Sequence, residues 1–382
     1  MTTRTFRLLA ALLVLAALAH ASLFAFLCDD AYISFRYARN LTEGHGLVFN
    51  VGERVEGYTN FLWTLQLAGL WAWTGIGPET TAIPLGFGSA LVALAALAAL
   101  ASTSPWGGRP AVLLALLFAA VHRSIAVWTT SGLEQRQVTA LELVAIGLVW
   151  RGATRRDRVT LAVASGVMGL ALLSRPEPLL LAPCAAAWLL WEGRTRGRPV
   201  WDGLLDALAV GIPALVVALG QLAFRLEYYG VPLPNTYYAK GRDLWISGGL
   251  AYFAQAALEH GWWLLVPLAV FGALQRLHRN DGLHVLSLVV VAPRLLYLMK
   301  NGGDHFEYRA LDLVFFLLIP AAVDGLLALR ALFGPAAALV TACTVLAYTN
   351  VVPVLHYSQT RELDPDTTHL AYSDPLSFRA IP

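Results

Sequence analysis

The chain has 382 residues, 57% hydrophobic and only 14% charged, with a mean hydropathy of +0.60 and a formal net charge of +2. Soluble globular chains carry about 25% charged residues, so this composition excludes an ordinary soluble domain and predicts a polytopic membrane protein. The near-neutral balance excludes a nucleic-acid partner. The odd number of cysteines, Cys28, Cys184 and Cys343, at spacings that fit no metal box, predicts small core residues.

The first apolar run, 6–27, is long enough to cross a bilayer. It follows Arg4 and Arg7 and continues past Ala19-His20-Ala21, a signal-peptidase-like triplet, which predicts an uncleaved anchor. Leu27 is too bulky to precede a lipobox cysteine at Cys28. Asp29 and Asp30 come next, and charge at the exit of a membrane helix is costly. Two adjacent carboxylates repel, which suits one of them for proton transfer. The alternative is that Asp30 caps a helix over AYISFRYARNL. In that helix Tyr32, Arg36 and Asn40 share a face, and Arg39 and Glu43 form an i,i+4 ion pair.

Glu56-Gly57-Tyr58-Thr59-Asn60 offers a carboxylate, hydroxyls and an amide, which suit either a sugar or a tight turn. Residues 59–76 are apolar, yet counting them as a span would put every later arginine cluster on the outer side. They are therefore expected to lie at the interface or re-enter, with Trp63, Trp71 and Trp73 at headgroup level. Further spans are expected at 79–101, 110–128, 133–150, 159–173, 178–191, 203–224, 250–272, 282–299, 311–329 and 334–352, about eleven with the first. Arg109, Arg151, Arg155, Arg156, Arg158, Arg194, Arg196, Arg198, Arg276, Arg279 and Arg330 then fall in cytoplasmic loops that hold arginine and little else.

This topology gathers the unusual motifs on the outer face. Ser131-Gly132-Leu133-Glu134 opens the fourth span, where Glu134 is either an acid at the membrane boundary or a cap. Arg175 and Glu177 in SRPEP read as a self-satisfied ion pair at a helix-breaking corner. LPNTYYAKGR sets Tyr237, Lys240 and Arg242 at the interface. GGDHFEYR holds Asp304, His305 and Arg309, whose spacing matches no standard metal site, so no metal or other cofactor is expected. Lys240 and Lys300 are the chain's two lysines, and both fall on the outer face. That runs against the positive-inside tendency and points to an anionic partner such as a lipid phosphate. The chain has no P-loop, Rossmann glycine motif, HExxH, GxSxG or CxxC pair, and no evident internal repeat.

DDAYISFRYARNLTEGHGLVFNVGERVEGYTNFLW, SGLE, RPEP, LPNTYYAKG and GGDHFEYR together resemble the GT-C glycosyltransferases, and within them the arabinofuranosyltransferase-like branch. The resemblance runs over about residues 5–330, and the first motif is the specific one. It implies an all-α GT-C-type bundle at 1–356, a long first outer loop at 28–78 carrying interfacial helices, and a short polar outer tail at 357–382. It implies an inverting transfer of arabinofuranose or a related sugar from a polyprenyl-phosphate donor to a glycan or glycoprotein acceptor. The setting implied is the outer face of a bacterial plasma membrane.

By the same resemblance, Asp29 or Asp30 is the general base, with Asp29 preferred, and Glu134 is the second acid. Lys240, Arg242 and Arg309 face the donor phosphate. Glu56, Tyr58 and Asn60 are weaker candidates for sugar or acceptor contacts, and Arg36, Arg175, Tyr237, Asp304 and His305 complete the substrate-binding set. The chain departs from the family's larger members, which carry a substantial outer C-terminal domain, and in having Gln135 after Gly-Leu-Glu. The competing readings are a lipid-linked sugar translocase, which predicts charges deep in the bundle, and an inactive scaffold. The sequence places the acids at helix ends on one face, which favours the enzyme.

Overall fold

The computed structural model describes residues 1–239, 244–304 and 306–363, the side chains of 239 and 353–363 excepted. Among the described residues every regular element is helical. Helix α1 (Thr3–Ser22) is followed by α2 (Asp29–Thr42) and α3 (Phe61–Thr74), with the loop 43–60 between the last two. Then come α4 (Pro78–Ala101), α5 (Gly108–Val121), the short α6 (Arg123–Val127), α7 (Gln135–Arg155), α8 (Arg158–Ser174), α9 (Leu181–Thr195) and α10 (Val200–Tyr228). The last six are α11 (Asn235–Ala239), α12 (Ile246–Glu259), α13 (Trp262–Leu277), α14 (Leu283–Lys300), α15 (Asp312–Phe333) and α16 (Pro335–Leu363).

Every expected apolar run becomes helix, but not every one is a full span. Among the described residues six helices are long and apolar enough to cross a membrane: α1, α4, α10, α14, α15 and α16. Helices α5, α8 and α9 are shorter, and α7 carries Arg136, Glu142 and Arg151. The run 250–272, expected as one span, is broken. Helices α12 and α13 meet at 85°, with Gly261 between them at φ +63. That left-handed conformation suits glycine, and a Cβ there would lie 2.9 Å from Tyr348 Cδ1. Helix α3, at 14 residues, is about 21 Å long and too short for a hydrocarbon core of about 30 Å, as expected for an interfacial element.

Helix α15 is the axis of the bundle, with 83% of its most apolar window buried, whereas α10 is 11% buried and turns leucines and valines outward. Lipid tails are as apolar as leucine, so helices associate in a bilayer through close packing and polar contacts. The α13–α15 pair does this with small residues. A Cβ at Gly272 would collide with Ala321 O, and one at Gly325 with Leu268 O.

The polar contacts are buried ion pairs. Arg136 Nη1 on α7 donates to Asp312 Oδ2 on α15 at 2.9 Å, and Thr139 Oγ1 donates to the same oxygen at 2.6 Å. Arg294 on α14 meets Glu142 on α7 at 2.6 Å. These pairs correct the expectation that the acids sit at helix ends, because Glu142 lies about two turns inside α7. At the opposite end of the bundle Arg276 and His284 share Asp324 at 2.8 and 2.7 Å, and Arg158 reaches Asp202 and Asp206 at 3.0 and 2.9 Å. That end was expected to hold arginine and little else. Its arginines instead meet carboxylates four and more residues away in sequence, which a loop-by-loop count misses. Cys343 is exposed on α16, not a core residue, whereas Cys28 is buried.

Removing one partner of a buried pair strands the other charge and costs about 3–5 kcal/mol, whereas replacing both by apolar groups costs far less. Arg136→Met is expected to lower the thermal unfolding temperature in detergent sharply. The double variant Arg136→Met/Asp312→Leu is expected to recover most of that loss.

Candidate active site

The site is assembled at the end of the bundle where α2, α7 and α9 begin and α8 and α14 end. Cys28 N donates to Ser131 O at 2.9 Å, which fastens the start of α2 to the SGLE turn. Gly132 makes this approach possible. It sits at φ +77, and a Cβ there would lie 2.7 Å from Leu27 Cδ2 and 3.2 Å from Ala31 Cβ. Trp63 Nε1 on α3 donates to Gly132 O at 3.2 Å. The N-cap of α2 is Cys28, so Asp29 and Asp30 both lie in the first turn, and Asp30 is not the cap foreseen. Asp29 Oδ1 accepts from Asp30 N at 2.9 Å and from Cys28 Sγ at 3.2 Å. Burial pushes the Cys28 thiol up to about 12, so it remains a protonated donor. The positive end of the helix dipole favours a carboxylate here. Asp29 is exposed and Asp30 half-buried.

Glu134, immediately before α7, is 3% exposed and occupied on both oxygens. Asn60 Nδ2 donates to Oε2 at 2.7 Å, and Arg175 Nη1 to Oε1 at 2.7 Å. Asn60 in turn bonds Ser34 Oγ on α2 and accepts from Thr64 Oγ1 on α3. Arg175 also grips Glu177 with Nε at 3.1 and 3.0 Å, so the expected pair is present but is shared with Glu134. Burial alone would raise the Glu177 carboxyl, but the Arg175 guanidinium overrides it and holds it down to about 2. Asp304 also acts electrostatically on Arg175, which brings the loop after α14 into the same cluster.

Glu56 and Tyr58 face inward. Glu56 accepts from Arg225 Nε on α10 at 3.1 and 2.8 Å, and burial raises its carboxyl against that pairing. The Tyr58 and Tyr229 hydroxyls are 3.1 Å apart, and Tyr229 donates to Leu47 O at 2.8 Å. Tyr37 donates to Val55 O at 2.7 Å and accepts from Gly57 N at 2.8 Å. Glu56, Tyr58 and Asn60 are thus placed as the frame of the loop 43–60, not as groups facing solvent. The partners of Glu56 and Tyr58, on α10 and just after it, lie 169 and 171 residues away, beyond the reach of any local motif.

One face of α2 remains open. Asp29, Tyr32, Arg36 and Arg39 floor a groove of about 520 Å³, walled by Phe49, Trp71 on α3 and Glu79 on α4. Of the stripe foreseen for Tyr32, Arg36 and Asn40, the first two lie on this floor, and Asn40 is buried with Nδ2 donating to Val48 O and Phe49 O. Arg36 donates Nε to Phe49 O at 2.7 Å and lies over the Phe49 ring at 4.6 Å, while Arg39 pairs with Glu43 at 2.8 Å as expected. Phe49, Trp71 and Glu79 were missed as site residues, because nothing in their local sequence shows that loop, α3 and α4 meet there.

Arg309 is 8% exposed. Its Nε donates to Asp304 Oδ2 at 3.2 Å, and its guanidinium lies over Phe306 and Trp128 at 4.2 and 5.9 Å. Tyr237 is exposed on α11. Lys240, Arg242 and His305 lie outside the described residues. Among the described residues no three His, Cys, Asp or Glu side chains converge as a metal site.

No protein-family model matches the chain. The chain is 30% identical over 346 residues to the terminal β-(1→2)-arabinofuranosyltransferase of Mycobacterium tuberculosis, covering 79% of this chain and 53% of that protein. To the enzyme of the same name from Corynebacterium glutamicum it is 29% identical over 344 residues, covering 77% and 47%. The chain spans about half the length of the curated relatives it matches. The solved structure of ArnT from Cupriavidus metallidurans bound to undecaprenyl phosphate superposes with a TM-score of 0.58 at 13% identity, over 100% of this chain and 75% of that one. The archaeal oligosaccharyltransferase AglB from Archaeoglobus fulgidus, in complex with an inhibitory peptide and a dolichol-phosphate, gives 0.60 at 12% identity over 99% and 60%.

An all-α bundle of this shape, with a looped and helical segment between its first two long helices, is a multi-pass membrane protein of the GT-C fold. Within that fold its sequence is arabinofuranosyltransferase-like.

The depressed Glu177 carboxyl stabilises the folded state above its ordinary value near 4.5, and that contribution is lost as pH falls through about 2. The thermal unfolding temperature of the wild type is therefore expected to fall more steeply between those pH values than that of Glu177→Gln. Parallel melting curves in detergent would check this.

Proposed function

We propose that the protein is an inverting glycosyltransferase that moves arabinofuranose from a polyprenyl-phosphate donor to a cell-envelope glycan or glycoprotein on the outer face of a bacterial plasma membrane. The observation that carries this is the placement of Asp29. It is an exposed carboxylate at a helix N-terminus, opening onto a groove and braced against the buried Glu134 cluster. The names of the curated relatives supply the sugar, and the titles of the solved structures, with undecaprenyl phosphate and dolichol-phosphate, support a lipid-linked donor.

In this reaction Asp29 takes the proton of an acceptor hydroxyl. The oxygen's lone pair forms the new bond to the anomeric carbon from the face opposite the leaving group. The bond from that carbon to the phosphate oxygen breaks, and its electron pair departs with the polyprenyl phosphate. A cation beside the phosphate stabilises the leaving dianion. Arg309 is the described candidate, with Lys240 and Arg242 from the α11–α12 connection as the others. Asp30 is the alternative base. Glu134, saturated by Asn60 and Arg175, holds Arg175 and the loop 43–60 in register and keeps the start of α7 against α2.

The deep ion pairs would suit a lipid-linked sugar translocase. Arg136–Asp312 and Arg294–Glu142 are, however, each neutralised by a direct partner and serve as helix-to-helix contacts.

Loss of a general base costs about 10²–10⁴-fold in rate. Asp29→Asn is expected to fold and insert like wild type but to lose transfer of radiolabelled arabinofuranose from its polyprenyl phosphate by about that factor. Full activity in this variant would remove Asp29 from the reaction. Transfer restored by Asp30 alone would reassign the base.

A further inference from the structure

The loop that delivers Arg309 is held from one side by α6. Trp128, just after that helix, donates Nε1–H to Glu307 O at 2.6 Å. Its ring meets Phe306 edge-on at 5.7 Å and lies 5.9 Å from the Arg309 guanidinium. Arg123, which opens α6, pairs with Glu307 at 3.2 Å and with Glu259, at the end of α12, at 3.4 Å. Tyr308 donates its hydroxyl to Glu259 at 2.8 Å. Trp128, Arg123, Tyr308 and Arg309 are all buried. The helix behind this bracket is itself anchored, because Arg136 Nη2 donates to Ile125 O at 2.7 Å and Nε to Thr129 Oγ1 at 3.2 Å.

Backbone strain shows what the bracket holds. Tyr308 sits at φ +46, in the left-handed region that a bulky residue avoids. Such a conformation persists only where its surroundings over-determine it, and it is commonest at functional sites. Here it falls immediately before Arg309.

We infer that Trp128 is a positioning residue for the transfer reaction. With Arg123 and Tyr308 it fixes the strained turn that aims the Arg309 guanidinium at the leaving phosphate. The inference rests on the glycosyl transfer and the Arg309 assignment proposed above, and it adds the group that aims the cation. Aromatic rings suit that task. A planar guanidinium stacked at 4.2 Å over Phe306, with Nε given to Asp304, has its plane fixed, whereas a lysine ammonium could not be oriented this way.

The chemistry gives this role a readout of its own. The donor phosphodiester carries one negative charge, and the departing polyprenyl phosphate carries up to two. A misdirected Arg309 therefore weakens the transition state and the product more than the bound donor.

The test uses the full chain in detergent. Trp128→Phe keeps an aromatic ring and removes the N–H. It is expected to lower kcat about tenfold and to weaken polyprenyl phosphate binding about as much, the scale of one hydrogen bond, with the donor KM unchanged. In an Arg309→Met background the same substitution is expected to weaken polyprenyl phosphate no further, since it acts through that cation. Tyr308→Phe drops only the bond to Glu259 and is expected to change kcat and polyprenyl phosphate affinity in the same direction. It carries the comparison if Trp128→Phe fails to fold. Trp188→Phe is the control: Trp188 is equally buried and donates to Gly282 O at 3.2 Å, away from this loop, and all three quantities should hold. Unchanged kcat and polyprenyl phosphate affinity in Trp128→Phe and Tyr308→Phe overturn the inference and leave the glycosyltransferase standing. So does a loss that adds in full to that of Arg309→Met, or full transfer by Arg309→Met itself. A wild type that transfers no arabinofuranose from its polyprenyl phosphate overturns both readings.

Discussion

The geometry of the site depends on one buried carboxylate. Glu134 can be charged inside the protein only if donors replace its water, since an unpaired buried charge costs several kcal/mol. Its two donors come from residues 74 positions before it and 41 after it, Asn60 and Arg175. Satisfying Glu134 therefore draws together the loop 43–60, the head of α7 and the corner after α8. Asn60 extends the hold to Ser34, and so to α2. Asp29 is where it is because the helix that carries it is tied at Cys28 to the SGLE turn and at Ser34 to the Glu134 cluster.

The same solvent logic organises the rest of the bundle. Arg136 and Glu142 are buried along α7, so they must meet protein partners, and they meet Asp312 and Arg294. Where packing has no charge to satisfy, close approach substitutes, as between α13 and α15 at Gly272 and Gly325. The division between saturated and unsaturated polar groups then separates framework from working surface. By that criterion Glu56, Tyr58 and Asn60 hold the loop in place, and Tyr32, Arg36, Trp71 and Glu79 line the open groove.

Much of this was legible in the amino-acid order, because hydropathy and helical period are local properties. The apolar runs all became helix, the α2 stripe was visible from its i,i+4 spacing, and the 59–76 segment was set aside as a span because counting it would have put the later arginine clusters on the outer side. What could not be read was pairing. Nothing near Glu56 announces Arg225, and nothing near Glu142 announces Arg294. The break at Gly261 was hidden because both arms are apolar and a hydropathy window sees their sum. Asp30 was weighed as a cap because aspartate is a good one, but Cys28, tied by its N–H to Ser131 O, takes that place and the helix starts two residues earlier. Phe49, Trp71 and Glu79 carry no motif at all and are drawn into one groove by the tertiary fold alone.

The deep ion pairs have a consequence for how the chain is made. Arg136 and Glu142 leave the ribosome long before their partners, which lie 176 and 152 residues downstream. Arg136 opens α7 and Glu142 lies about two turns inside it; a charge within a lone membrane helix costs up to about 2.5–3.5 kcal/mol even by the mildest scale, so Glu142 makes newly made α7 a poor independent insert. It must wait at the interface, or beside the insertion machinery, until α14 and α15 arrive to neutralise it. Biogenesis of this protein is then completed from its C-terminal side. The start of α7, which Glu134 precedes, is then held by its charged partners only once α14 and α15 are in place.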